Sequence, residues 1–210
     1  MTTDCIERGN DNFPKNIINR LGNDSPPCLY VLGNLSILDN HLMGLVCSVQ
    51  CPGSVVIKTF DAVRKLREQE IVMAGGFHSP MEKECLDILL NGKHPVVLCP
   101  ARSLKNLHIG QKARQALKEG RLLIMSRFAE TILRTTSQQA IQRNDLVAAL
   151  SDSLLVPYAS PGGKTWTTVD RALSWDQPVY SFPDNHNAEL LNAAAQKFAD
   201  NAREIQEKKR

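Results

Sequence analysis

The sequence predicts an α/β fold: a doubly wound, mostly parallel Rossmann-like sheet of about six or seven strands with helices on both faces. Three observations predict it. The strand candidates are short and apolar throughout, as strands buried on both faces are. They alternate with amphipathic helices of about three turns, which parallel strands need as right-handed crossovers. Several strand-to-helix corners are built from small residues and glycine, the construction that α/β proteins use to hold anions beyond the carboxyl ends of their strands.

In chain order, residues 1–27 are polar and punctuated by Pro14, Gly22, Pro26 and Pro27. They read as a loose lead-in with one short helix near Ile17 to Leu21. A Rossmann-like domain is expected over 28–185. Its first strands are Leu29 to Leu32 and Leu42 to Val49. The segment Val55 to Glu70 places Val56, Phe60, Val63 and Leu66 on one helical face. Ile71 to Ala74 is a strand that runs into Gly75-Gly76. Ser79 followed by Glu82 forms a capping box with Pro80 at the first helical position, so a helix opens there and stops at Gly92. Pro95 to Cys99 is a strand, Gln111 to Glu119 a helix closed by Gly120, and Leu122 to Ser126 a strand. Thr136 with Gln139 caps a helix that runs to Leu150. The strand Leu154 to Ala159, the helix Thr165 to Leu173 and the strand Val179 to Phe182 follow. Residues 186–210 are expected to be a long helix from Ala188 with the solvated, charged tail EIQEKKR.

The chain has 210 residues, enough for one full core. Its net charge of +3 permits a nucleic-acid partner without demanding one, so any basic surface must be local. The amino terminus lacks the apolar stretch of a secretory signal, and no apolar run approaches the ~18 residues that span a bilayer. The six cysteines form no Cys-x-x-Cys pair, and the reading is a cytoplasmic protein with reduced thiols that does not bind a membrane. The five histidines show no ligand spacing with cysteine, so no metal site is expected. No Gly-x-Ser-x-Gly elbow marks a nucleophile, and neither catalytic residues nor a cofactor are assigned.

Three corners should meet at one rim. The first follows Val49, runs from Gln50 to Ser54 and holds Gly53 and Ser54; the second, Gly75 to Glu82, holds Gly75, Gly76, His78 and Ser79; the third, Ala159 to Thr165, holds Gly162, Gly163, Lys164 and Thr165. Glycine lets the backbone approach an anion, and the first unpaired helix amides point at it. Ser79 can donate a hydroxyl or simply cap its helix, and Glu82 can serve acid/base work or simply complement the helix dipole. GGKT at 162–165 is not a P-loop, because Tyr158 stands where the motif requires its first glycine. Arg143-Asn144 lies within the helix from Thr136, and Arg127 flanks the same approach; with Lys164 these residues supply a basic rim. The ligand implied is a nucleotide or a nucleic-acid backbone.

The series PPCLYVLGN (26–34), LVCSVQCPGS, AGGFHSPMEKECLDILLNG, PVVLCPAR, GRLLIMSRF, AIQRNDLVAALSD, SPGGKTWTTVDRAL and QPVYSFP resembles the Rossmann-like domain of the DNA-processing protein A (DprA/Smf) family over about residues 26–184. Arg143 to Ser151 is its most specific part, similar to the family's Arg-Asn-Arg followed by an apolar run and Leu-Ser. The resemblance implies binding of single-stranded DNA in a basic pocket, a homodimer, delivery of the strand to a recombinase in natural transformation, and no catalysis. Ser48 enters the site on this ground, since Cys47-Ser48-Val49 stands where the family carries Gly-Ser-Arg. Ser79-Pro80-Met81 replaces its Gly-Ile-Asp, and Asp145 replaces its second arginine. The length suggests a minimal member, without a winged-helix tail or a helical leading domain.

Two other functions fit the residues. A small-nucleotide sensor would use the same corners and bind with little salt dependence. A phosphoribohydrolase would draw on the faint likeness of Pro161-Gly162-Gly163-x-Thr165 to a Pro-Gly-Gly-x-Gly-Thr turn, with Asp170 or Glu82 as its carboxylate.

Overall fold

The computed structural model describes residues 3–198. One nine-stranded sheet runs through it in the order β1-β2-β6-β5-β4-β3-β7-β8-β9. The strands are β1 (Asp4–Glu7), β2 (Cys28–Gly33), β3 (Leu42–Leu45), β4 (Val72–Gly75), β5 (Val96–Leu98), β6 (Leu122–Ser126), β7 (Ser153–Leu155), β8 (Val179–Ser181) and β9 (Gln196–Lys197). From β6 across to β9 every neighbouring pair is parallel, while β2 pairs antiparallel with both β6 and β1. The predicted doubly wound sheet is therefore present, extended at both edges.

The helices are α1 (Lys15–Leu21), α2 (Gly53–Arg67), α3 (Pro80–Leu90), α4 (Gln111–Lys118), α5 (Ser137–Leu150), α6 (Lys164–Ser174) and α7 (Ala188–Asn192). They sort by face. Val55, Val63 and Leu66 of α2, Cys85 and Leu89 of α3 and Ala116 of α4 pack with Met43, Leu45, Met73, Val96 and Ile124 of the sheet. On the other face, Ile17 of α1, Leu146 to Leu150 of α5 and Val169 and Ala172 of α6 pack with Leu42, Val72, Ala74, Val97 and Met125. Alternate residues of β3, β4 and β6 thus enter opposite cores, which is why these strands are apolar at every position.

The chain winds outward from β3 through β4 and β5 to β6, then returns through α5 to place β7 beside β3. The gap between β3 and β7 is the topological switch point, where crevices open beyond the carboxyl ends of the strands.

Residues 4–27 are more ordered than a loose lead-in. Strand β1 pairs with β2, and Ile6, Phe13, Ile17 and Leu21 are buried. Arg20 donates to the carbonyls of Ala148, Ala149 and Ser151, closing the end of α5. Cys5 and Cys28 form a disulfide, which corrects the expectation that every thiol is reduced: the β1–β2 pairing brings their Cα atoms to 6.2 Å, within bridging range. At the other end, the long helix from Ala188 gives way to the short α7, after which β9 pairs with β8. The tail 204–210 lies outside the described residues. No helix among the described residues is long and apolar enough to cross a membrane.

Candidate functional site

At the switch point a cleft of about 380 Å³ opens over the carboxyl ends of β3, β4 and β7. The segment after β3 contributes Cys47 to Gln50. The segment after β4 contributes His78, Ser79 and, from the first turn of α3, Glu82. The segment after β7 contributes Ser160 and Gly163 to Thr165. Helix α5 supplies Ala140, Ile141, Arg143 and Asn144. The second and third corners meet here through His78, Ser79 and Gly163 to Thr165, the first reaches the cleft through Gln50 but not through Gly53 or Ser54, and α5 forms the remaining wall.

The corners differ in what they offer an anion. At α6 the N-cap is Gly163, with no side chain to cap the first turn. The amides of its first turn, Lys164 to Trp166, lack intrahelical partners, whereas that of Thr167 already donates to Gly163 O, so the first three are open to a ligand. A side chain at Gly163 would press its Cβ to 2.9 Å from the Ser160 carbonyl oxygen, so the tight turn requires glycine. Gly162 sits at φ +67°, also a glycine conformation, and lies off the cleft wall. Ser48 braces this corner: its amide donates to Tyr158 O at 2.9 Å, and its Oγ accepts from the Ser160 amide at 3.1 Å. Lys164 is exposed, and its Nζ donates to Ser137 Oγ at 2.8 Å.

The α3 corner is already filled. Ser79 Oγ accepts from the Glu82 amide at 3.2 Å, and Glu82 Oε2 accepts from the amides of His78 and Ser79 at 3.1 and 3.0 Å. The predicted capping box has formed, and it uses the amides that were expected to face a ligand. The two glycines before it serve the interior. A Cβ on Gly75 would stand 3.0 Å from the Phe77 ring, and one on Gly76 would overlap the Arg143 guanidinium. Both lie off the cleft wall and allow close packing, with Phe77 at φ +46° turning the chain between glycines and helix.

Arg143 is buried beneath Gly76 at 5% exposure. Its Nε donates to Asn144 Oδ1 at 2.8 Å and its Nη1 to Cys99 O at 3.5 Å, leaving Nη2 with no partner among the described residues. Burial pulls its pKa down, and the Glu82 carboxylate opposes that pull. Asn144 lines the cleft, and its Nδ2 has no hydrogen-bond acceptor among the described residues.

Three expected residues lie elsewhere. Gly53 and Ser54 begin α2, where Ser54 Oγ reaches Asp184 Oδ2 at 3.5 Å and Lys58 pairs with the same carboxylate at 2.8 Å. An anion there would meet Asp184. Arg127 lines a separate cavity of about 410 Å³ with Asp24, Asp145 and Arg171, on the far side of Ile141. Its guanidinium donates to the carbonyls of Asp24 and Gln142. Asp145 accepts from Thr168 at 3.1 Å and Arg171 at 3.0 Å; burial raises its pKa, and Arg171 lowers it. Asp170 is exposed and off the cleft wall.

Cys47 was missed as a wall residue. Interaction with the neighbouring Cys51 thiol, with burial, drives the Cys47 pKa up, and the same interaction draws the Cys51 pKa down. Among the described residues no cluster of three or more His, Cys, Asp or Glu could hold a metal.

Comparison with known proteins now decides the family. The chain matches DNA recombination-mediator protein A over residues 4–210. It belongs to that family. The match extends the resemblance read from residues 26–184 to both ends of the sheet. Among solved structures, DNA processing protein A from Streptococcus pneumoniae is similar at 17% identity and TM-score 0.80, over 98% of this chain and 74% of that one. The protein of the same name from Helicobacter pylori, described for its unique single-stranded DNA binding mode, is similar at 20% identity and TM-score 0.76, over 95% and 93%. A molybdenum cofactor binding protein from Rippkaea orientalis follows at 11% identity and TM-score 0.52, over 74% and 83%. At these identities the likeness is one of fold. No curated protein matches the chain. The chain is thus a DNA-processing protein of the DprA type.

Proposed function

We propose that this chain binds single-stranded DNA without catalysis, seating a backbone phosphate at the α6 N-terminus. The observation that carries the reading is the convergence of uncapped α6 amides, the exposed Lys164 ammonium and the unpaired Arg143 Nη2 on one open cleft at the switch point. Phosphate contacts of this kind hold a strand without reading its sequence. Aromatic residues make up only 5% of the chain, so the amides and cations, rather than a stacking platform, supply the affinity. Delivery of the strand to a recombinase accords with the family's mediator role, and a homodimer with the resemblance. Asp170 lies off the cleft wall, and Glu82, the wall's carboxylate among the described residues, is held by two amides, which disfavours a phosphoribohydrolase.

The test is the anisotropy of a labelled oligonucleotide, single-stranded or duplex, over a range of salt. The single strand binds more tightly than the duplex and weakens as salt rises, with a logarithmic slope of about −0.7 for each phosphate neutralised. Lys164→Ala reduces the magnitude of that slope by about 0.7 and leaves the melting temperature unchanged. Binding that ignores salt, or a Lys164→Ala variant with the wild-type slope, defeats the assignment.

A further inference from the structure

Glu82 lines the cleft although the cleft is to receive an anion. Its carboxylate is 4% exposed and holds the amides of His78 and Ser79, the seat at the α3 N-terminus that an incoming phosphate would otherwise take. Its charge acts on the buried Arg143 across the same space. The formally charged side chains on the cleft wall, histidine aside, are Glu82, Arg143 and Lys164, a single positive charge in excess. A phosphodiester within a strand carries one negative charge. A phosphomonoester carries nearly two at neutral pH.

We infer that Glu82 is a specificity-determining residue that weakens the cleft's hold on phosphomonoesters, free nucleotides included, more than its hold on interior phosphodiesters. The inference rests on the single-strand reading above and gives it a substrate class. Repulsion grows in proportion to the ligand's charge, so a dianion suffers about twice the repulsion of a monoanion at the same place. The α3 amides cannot compensate, because Glu82 already holds those of His78 and Ser79.

Glu82→Gln tests this cleanly. Glutamine serves in a capping box as glutamate does, so the helix keeps its first turn while the charge is removed. A labelled oligonucleotide without terminal phosphates is bound to the wild-type and variant proteins, and thymidine monophosphate is added as competitor, with thymidine as the uncharged control. Wild-type protein binds the oligonucleotide, and displacement by the monophosphate gives the reference affinity for a dianion. In the variant, affinity for the oligonucleotide rises about threefold and for the monophosphate about tenfold, the second gain being the square of the first because the ligand charge doubles. Equal gains, or no gain in a variant that melts with the wild type, overturn the inference and leave the single-strand reading standing. An oligonucleotide that fails to bind wild-type protein removes that reading first. Should the variant unfold, Glu82→Ser, which keeps a hydroxyl to accept from the Ser79 amide while removing the charge, takes its place, and the same unequal gains decide.

Discussion

Arg143 reaches the cleft by occupying the space that Gly76 leaves by having no side chain. The pairing of an arginine on α5 with a glycine after β4 is invisible in the sequence, because 67 positions separate them and neither residue type announces the other. The sequence exposed the residue types, and so Gly75 and Gly76 read as a cradle; only packing reveals that they make room for Phe77 and Arg143. Gly76→Ala pushes the guanidinium aside, costs about 1–3 kcal/mol of stability as an overpacked site, and weakens binding of single-stranded DNA. Urea unfolding and anisotropy check the two effects, and an unaltered variant contradicts the packing. Arg127 was misplaced for a related reason: its chain neighbours point to the rim, while its hydrogen bonds to Asp24 and Gln142 tie it to a different cavity.

At the scale of elements, helix starts were the most legible features, since caps are local in sequence. Both capping boxes, Ser79 with Glu82 and Thr136 with Gln139, stand where the residues place them. Ser79→Ala removes the acceptor for the Glu82 amide and lowers stability by about 1 kcal/mol, read as a shift of the urea midpoint; an unshifted midpoint means that the cap carries no stability. The edge strands were illegible. In β1 only Ile6 is buried, and β9 is two residues long, so pairing with β2 and β8, and not any hydrophobic pattern, defines them. The first corner was read too far along the chain. Ser48, rather than Gly53 or Ser54, holds the cleft, because the chain crosses toward Tyr158 and Ser160 before α2 begins.

For the whole molecule, the parallel core was legible because its strands are buried on both faces, and burial of that kind leaves uniform apolar runs. The same burial governs alkaline stability. The fully buried Cys85 and Cys99 thiols are pushed up to about 12 from an ordinary 9.0, chiefly by loss of hydration. Above 9.0 the unfolded chain releases these protons and the folded chain keeps them, so each thiol lowers stability by about 1.4 kcal/mol per pH unit until its folded value is reached. Stability is full below 9.0 and falls above it, and a Cys85→Ala, Cys99→Ala variant shows a shallower fall. Urea midpoints across this range measure both, and equal slopes in the two proteins contradict the assignment.

The placement of a strand phosphate on the α6 amides is tested most directly by amide hydrogen exchange with and without a single-stranded oligonucleotide. The account predicts that slowed exchange concentrates at Gly163 to Trp166, with a smaller effect at Ser48 to Gln50, the two segments that the Ser48–Ser160 hydrogen bond joins. Slowing centred on the α2 N-terminus beside Asp184, or at the Arg127 cavity, with 163–166 unchanged, contradicts it.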